Sequence, residues 1–162
     1  MRIMVRFALI ITSDTVYYGK KKDEITPIVE KIIRESGHDL KFKTIVRNDE
    51  EEILKSLNNA IKFSDIVLMT GGTGISPKDI TVDTVKQLAR DVLPGFGELH
   101  RSKSINEIGY RAILSRANAF IVNKSLVAIS PGNPSAVKIS LEILLPIANH
   151  IVEQLNGIPH NT

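Results

Sequence analysis

A chain of 162 residues, 43% apolar and 24% charged, has the size and balance of one globular domain with its own core. A net charge of +3, from 21 Lys and Arg against 18 Asp and Glu, is too small a surplus to mark a nucleic-acid-binding protein. The lack of Cys excludes disulfides, thiolate metal sites and cysteine nucleophiles.

Aromatic residues make up only 5% of the chain and Trp is absent, so the core is expected to be aliphatic. No apolar run is expected to reach the ~20 residues that span a bilayer. The segment from Met1 to Val5 is too short and too poor in small residues for a signal peptide, which leaves a soluble cytoplasmic protein as the expectation.

Residues 6–12 contain Phe7-Ala8-Leu9-Ile10-Ile11, an unbroken apolar run of the kind found in strands covered on both faces. Ser13-Asp14-Thr15 closes it with turn formers. The following Lys20-Lys21-Lys22 reads as a solvated loop or as a rim that attracts phosphate. Residues 24–36 carry Ile25, Ile28, Val29, Ile32 and Ile33 at helical spacing, with Pro27 in the first turn and Gly37 as the stop.

The unit repeats in kind. A strand is expected over 40–46, an amphipathic helix over 49–63 and a third buried strand over 65–70. Strand and helix alternating in this way predict a doubly wound, mostly parallel sheet in a three-layer α/β sandwich. After Gly71-Gly72-Thr73-Gly74 a helix is expected over 81–89. Pro94-Gly95-Phe96-Gly97 reads as a break, with weak helical patterning over 98–117. Short strands at 119–122 and 126–129 around Asn123-Lys124-Ser125 predict an antiparallel edge hairpin. A second break at Pro131-Gly132-Asn133-Pro134 precedes a long helix over 135–155, which Pro146 is expected to kink. One domain over 1–157 is expected, with a loose tail over 158–162.

Ligands of open α/β sheets bind beyond the carboxyl ends of the strands. By this reading Ser13 and Asp14, Asn48 and Asp49, the stretch 70–79 and the stretch 131–134 all reach one rim. The glycine cluster fits either a plain strand-to-helix turn or a loop whose N–H groups seat an anion, helped by the start of the next helix. It has neither the Gly-Lys-Ser/Thr ending of a Walker A loop nor a Gly-x-Gly-x-x-Gly pattern. Asp79 reads as a helix N-cap, or as one of two acids, with Asp49, converging on a phosphate-bound Mg²⁺. Asp83 reads as surface. His38, His100, His150 and His160 show no ligand spacing, and a surface role is expected for His100.

Several of these segments together resemble the MogA/MoaB family of molybdenum-cofactor biosynthesis proteins, which includes the gephyrin G domain. The first is Thr70-Gly71-Gly72-Thr73-Gly74 followed by Asp79-Ile80-Thr81 and Asp83. The second is Pro94-Gly95-Phe96-Gly97-Glu98 with Arg101. The third is Ser104, Glu107-Ile108-Gly109 and Leu114-Ser115-Arg116-Ala117, in a spacing closer to MoaB. Ser130-Pro131-Gly132-Asn133-Pro134 and Ser13-Asp14-Thr15 complete the set. In place of the family's Asp-x-Ser-Gly-Pro-like segment this chain has Asp23-Glu24-Ile25-Thr26-Pro27, which keeps the Asp and the Pro only.

The resemblance implies Mg-ATP-dependent adenylation of molybdopterin with release of pyrophosphate, by a homo-oligomer built as a trimer or hexamer. It implies Asp49 and Asp79 as the catalytic acids, holding Mg²⁺ through substrate phosphates. It further implies Gly71, Gly72, Thr73 and Gly74 at the nucleotide phosphates, with Ser13, Asp14, Pro131 and Gly132 at the nucleotide rim. Gly95, Glu98, Ser104, Ser115 and Arg116 fall on the pterin side. The competing expectations are a non-catalytic pterin-binding paralogue, an assembly module, and a nucleotide hydrolase related to the CinA amino-terminal domain.

Overall fold

A computed structural model describes residues 3–158. In chain order the elements are β1 (Arg6–Thr12), α1 (Asp14–Tyr17), α2 (Ile25–Glu35), β2 (Asp39–Val46), α3 (Glu50–Ala60), β3 (Ile66–Thr70), α4 (Thr81–Lys86) and β4 (Asp91–Leu93). They continue with α5 (Pro94–Ile108), a 3₁₀ turn over Gly109–Leu114, β5 (Asn118–Val122), β6 (Ser125–Ser130), α6 (Pro134–Leu144) and α7 (Ala148–Leu155). The six strands form one sheet in the order β2-β1-β3-β6-β5-β4. Pairings β1–β2, β1–β3 and β3–β6 are parallel, and β6–β5 and β5–β4 are antiparallel. The expected edge hairpin is present, and β4 extends it by a strand that no pattern in the sequence marked.

Strand periodicity divides the core into two. Phe7, Leu9 and Ile11 face a layer of α2, α6 and α7 through Ile25, Val29, Ile33, Val137, Leu141 and Val152. Ala8, Ile10, Val67 and Met69 face α3 and α4 through Ile53, Leu57, Val82 and Val85. Alternate residues of one strand thus meet different helix layers, the physical content of a doubly wound, three-layer sandwich.

Three expectations are corrected. The Pro94 to Gly97 stretch does not break the chain: it is the first turn of α5, with Pro at the start where its missing N–H costs nothing. Gly97 is there for packing, because a Cβ would stand 2.2 Å from the Ala117 carbonyl oxygen. The final helix is not merely kinked: a 3₁₀ turn at Leu145–Ile147 around Pro146 divides it into α6 and α7. Against the expectation that no segment could span a bilayer, Pro134–Leu155 has the length and composition to do so. Here its apolar face is buried in the first core half, the position of a core helix. The expected tail beyond Ile158, with His160, lies outside the described residues.

Candidate functional site

Strands β1, β3 and β6 run parallel and end level, with Ile11 opposite Thr70 and Thr70 opposite Ser130. Chain order reverses between β1 and β3, because β1 is followed by β2 on one side and β3 lies on the other. A crevice opens at such a switch point. Glycine closes its floor: Gly71 has φ +99° and donates its N–H to the Ser130 carbonyl at 2.9 Å. A Cβ on Gly71 would stand 2.1 Å from the Thr12 carbonyl oxygen, and one on Gly132 would stand 3.2 Å from the Gly71 Cα. Three chain segments therefore meet at backbone-to-backbone distance, which only glycine permits.

The resulting cleft holds about 450 Å³. Of the residues expected at the nucleotide rim and phosphate loop, Ser13, Asp14, Gly71, Gly72 and Gly132 line it, and so does Asp79. Thr73, Gly74 and Pro131 adjoin it without lining it. Among the described residues the N–H groups of Gly72, Thr73 and Gly74 donate to no protein acceptor. Gly72, at φ +69°, packs against Thr81, whose Oγ1 would be 2.1 Å from an added Cβ. The Oγ1 atoms of Thr12, Thr70 and Thr81 are buried and unpartnered as well. Buried polar groups left unpaired cost about 1–3 kcal/mol each, and of the five such side-chain atoms among the described residues these three gather at or beside the cleft.

Asp14 ties two loops together, its Oδ1 accepting the Asn48 N–H at 2.9 Å. Ser13 caps α1 by accepting the Val16 N–H at 3.2 Å. Asp79 is not the N-cap of α4; that position is Ile80, without a side-chain bond. The Asp79 carboxylate turns back instead and accepts the Ser76 N–H through Oδ2 at 3.0 Å, keeping a place on the cleft wall. Helix α4 has six residues rather than the expected nine, so the start of a long helix is not what stands behind the glycine amides. Asp49 is the N-cap of α3, accepting the Glu52 N–H at 3.0 Å, and follows the lining residue Asn48. Asp49 itself is outside the lining, so the structure does not bring both expected acids into the cleft.

Several lining residues were not among the expected site residues, although the lysine run reads from sequence as a solvated loop or as a rim that attracts phosphate. Lys21, Lys22 and Lys78 stand on the rim, and among the described residues none of the three forms an ion pair. The lysine run was the visible signal for two of them. Asp23 and Glu24 also line the cleft. Asp23 holds the start of α2: its Oδ1 accepts the N–H groups of Ile25 and Thr26 at 3.0 Å each, and its Oδ2 accepts the Thr26 hydroxyl. Among the described residues no group of three His, Asp or Glu could hold a metal ion.

None of the residues expected on the pterin side lines this cleft. Gly95 and Glu98 are exposed on α5. Ser104 is buried, 3.4 Å from Nδ1 of His100, and Ser115 Oγ accepts the Ala117 N–H at 3.2 Å. Arg116 is engaged by its own chain. Its Nε donates to the Gly74 carbonyl at 3.0 Å and one terminal nitrogen to the Asp79 carbonyl at 2.7 Å. The other terminal nitrogen reaches both carboxylate oxygens of Asp83, at 2.9 and 3.0 Å, so Asp83 is a pairing residue rather than bare surface. The surface reading of His100 is also corrected, since it is fully buried between α5 and α6. Its Nε2 lies 2.9 Å from the Ala136 carbonyl and must carry the proton, and burial holds the imidazole below its ordinary pKa.

Fold and cleft together define a doubly wound α/β domain with a glycine-floored cleft at its switch point. Residues 8–150 match the family described as "Probable molybdopterin binding domain", and the chain belongs to that family. It is 38% identical over 153 residues to the molybdopterin adenylyltransferase of Pyrococcus furiosus, covering 91% of this chain and 89% of that one. It is 32% identical over 156 residues to molybdenum cofactor biosynthesis protein B of Bacillus subtilis, covering 94% and 91%. The crystal structure of the tungsten cofactor synthesizing protein MoaB from Pyrococcus furiosus superimposes with a TM-score of 0.87 at 35% identity, covering 96% of this chain and 99% of that one.

Proposed function

We propose that this protein is a molybdopterin adenylyltransferase that takes molybdopterin and Mg-ATP as substrates. The observation that carries this reading is the set of unpaired amides at Gly72, Thr73 and Gly74 beside Asp79 in a cleft rimmed by lysines. A terminal phosphate oxygen of the pterin attacks the α-phosphorus of ATP, a new P–O bond forms, and the bond to the β-phosphate breaks to release pyrophosphate. That nucleophile is already an anion at neutral pH, so no protein base is needed and the work is alignment and charge neutralisation. The glycine amides seat phosphate oxygens. Lys21, Lys22 and Lys78 offset the charge of the outer phosphates. When bound, Mg²⁺ would supply further charge neutralisation, held by Asp79 on the cleft wall and by Asp49 once its carboxylate leaves the α3 N-cap. The pterin lies toward α5, where Gly95 and Glu98 reach solvent.

Exposed apolar side chains along α5 and the turn after it, including Leu99, Ile108, Tyr110 and Ile113, support a homo-oligomer, as a trimer or hexamer. The use of ATP supports a cytoplasmic location. A non-catalytic pterin-binding paralogue is the second reading, favoured by one observation: the Asp49 carboxylate is held by its own helix, off the cleft lining. Incubation with molybdopterin and Mg-ATP, followed by mass analysis, separates the two. Adenylated pterin and pyrophosphate are expected from the wild type. In Asp79→Ala the rate is expected to fall on the order of 10²-fold or more, with fold and pterin affinity retained. Full activity in that variant ends the assignment.

A further inference from the structure

The loop from Thr73 to Asp79 forms one wall of the cleft, yet Ile75, Ser76, Pro77 and Lys78 are exposed and only Thr73 is fully buried. Packing does not hold such a loop. Inside it, the Asp79 carboxylate bonds to the Ser76 N–H and the Asp79 N–H donates to the Ser76 carbonyl at 2.9 Å, which closes its far end. Its placement on the domain comes from one residue more than 35 positions away. The Arg116 N–H donates to the Thr73 carbonyl at 2.8 Å, and the guanidinium bridges Gly74, Asp79 and Asp83. Both ends of the loop are thus fastened by Arg116. A guanidinium is rigid and planar, so donors in one plane fix the separation of their acceptors in a way a lysine ammonium cannot.

We propose that Arg116 is a positioning residue that latches the phosphate loop in its anion-binding conformation, and does not itself contact substrate. The proposal rests on the reading of this cleft as the nucleotide site. Four of its five guanidinium N–H groups face acceptors of the protein, and a substrate contact through any of them would require breaking these bonds. The Arg116–Asp83 pair is too exposed to matter much for global stability, at 35% and 63% of the side chains. Its consequence is local. Without the latch the loop samples other conformations, and nucleotide affinity drops in proportion to the fraction of time spent in the competent one. Saturating nucleotide restores that conformation, so the rate at saturation is preserved.

The test compares the full chain with Arg116→Gln and with Asp83→Asn, which keeps the two bonds to backbone carbonyls. Amide hydrogen exchange at Ser76, Lys78 and Asp79, the amides of the 74–79 stretch that have acceptors, is expected to quicken on the order of tenfold in Arg116→Gln and less in Asp83→Asn, with circular dichroism unchanged. The Kd and KM for Mg-ATP are expected to rise by a similar factor, while kcat at saturating ATP and the Kd for molybdopterin stay within about twofold. Guanidinium ion added at millimolar concentration is expected to recover part of the ATP affinity of Arg116→Gln. Unchanged exchange at Ser76, Lys78 and Asp79 overturns the latch, and so does a selective loss of molybdopterin affinity, which makes Arg116 a substrate ligand. A fall in kcat at saturation also overturns it. Exchange reads the latch without nucleotide, so a wild type that binds no ATP defeats the nucleotide reading separately.

Discussion

Strands β1, β3 and β6 are buried on both faces, whereas the stretch from α5 to Leu114 leaves Leu99, Ile105, Ile108, Tyr110, Ile113 and Leu114 in solvent. In the first region every apolar side chain of the sequence run finds a helix opposite, so strand ends are held rigidly enough for Thr12, Gly71 and Gly132 to meet backbone to backbone. In the second region the apolar residues outnumber the partners the chain offers. The difference separates the packing that the chain completes by itself, around the cleft, from an apolar surface it leaves uncovered; the proposed function assigns the phosphates to the first region and self-association to the second.

The largest contrast is expected from truncating a side chain in each region. Leu57→Ala removes a fully buried side chain from the second core half and is expected to cost about 2–5 kcal/mol in urea unfolding. Ile113→Ala, at a side chain 73% exposed, is expected to cost under about 0.5 kcal/mol while weakening self-association in sedimentation. Equal losses at the two sites break the comparison.

Two glycines with positive φ sharpen it. Gly71→Ala meets both backbone strain and the Thr12 carbonyl, and a loss of about 3 kcal/mol is expected. Gly109 has φ +64° and ψ −147°, a region essentially confined to glycine, but open space around it, so Gly109→Ala is expected to cost only the conformational strain, about 1–3 kcal/mol and less than Gly71→Ala. Thermal unfolding of the pair reads the difference.

The smallest effect concerns pH at the seam between the regions, where His100 of α5 donates to the first turn of α6. Burial, its largest influence, lowers the folded pKa below the ordinary value of 6.5, with the Ala136 bond acting in the opposite sense. The unfolded chain then binds the proton more readily than the folded one, so stability rises with pH through this window. The full contribution is present above pH 6.5 and is lost as pH falls from there toward the folded pKa. Urea unfolding between about pH 7.5 and pH 5.5 is expected to show a shallower slope for His100→Gln than for the wild type.

Much of the domain was legible before any coordinates. Unbroken apolar runs such as Phe7 to Ile11 announce strands covered on both faces, and spacings such as Ile25, Val29 and Ile33 announce the helices that cover them, because burial imposes the period of each element on the sequence. Motif order likewise announced which loops meet at the rim. Other features depend on distance in space. Strand β4 has three residues, all exposed, so its edge position left no apolar signature. Pro94 and Gly97 read as breakers until the Ala117 carbonyl shows why a residue without a Cβ stands there. The fastening of Thr73, Gly74 and Asp79 to Arg116, the burial of His100 and the turning of Asp49 onto its own helix came only from the tertiary structure. A local pattern records which face of an element is buried. It does not record which donor, forty residues along, satisfies a given carbonyl, since that is decided by how the layers pack.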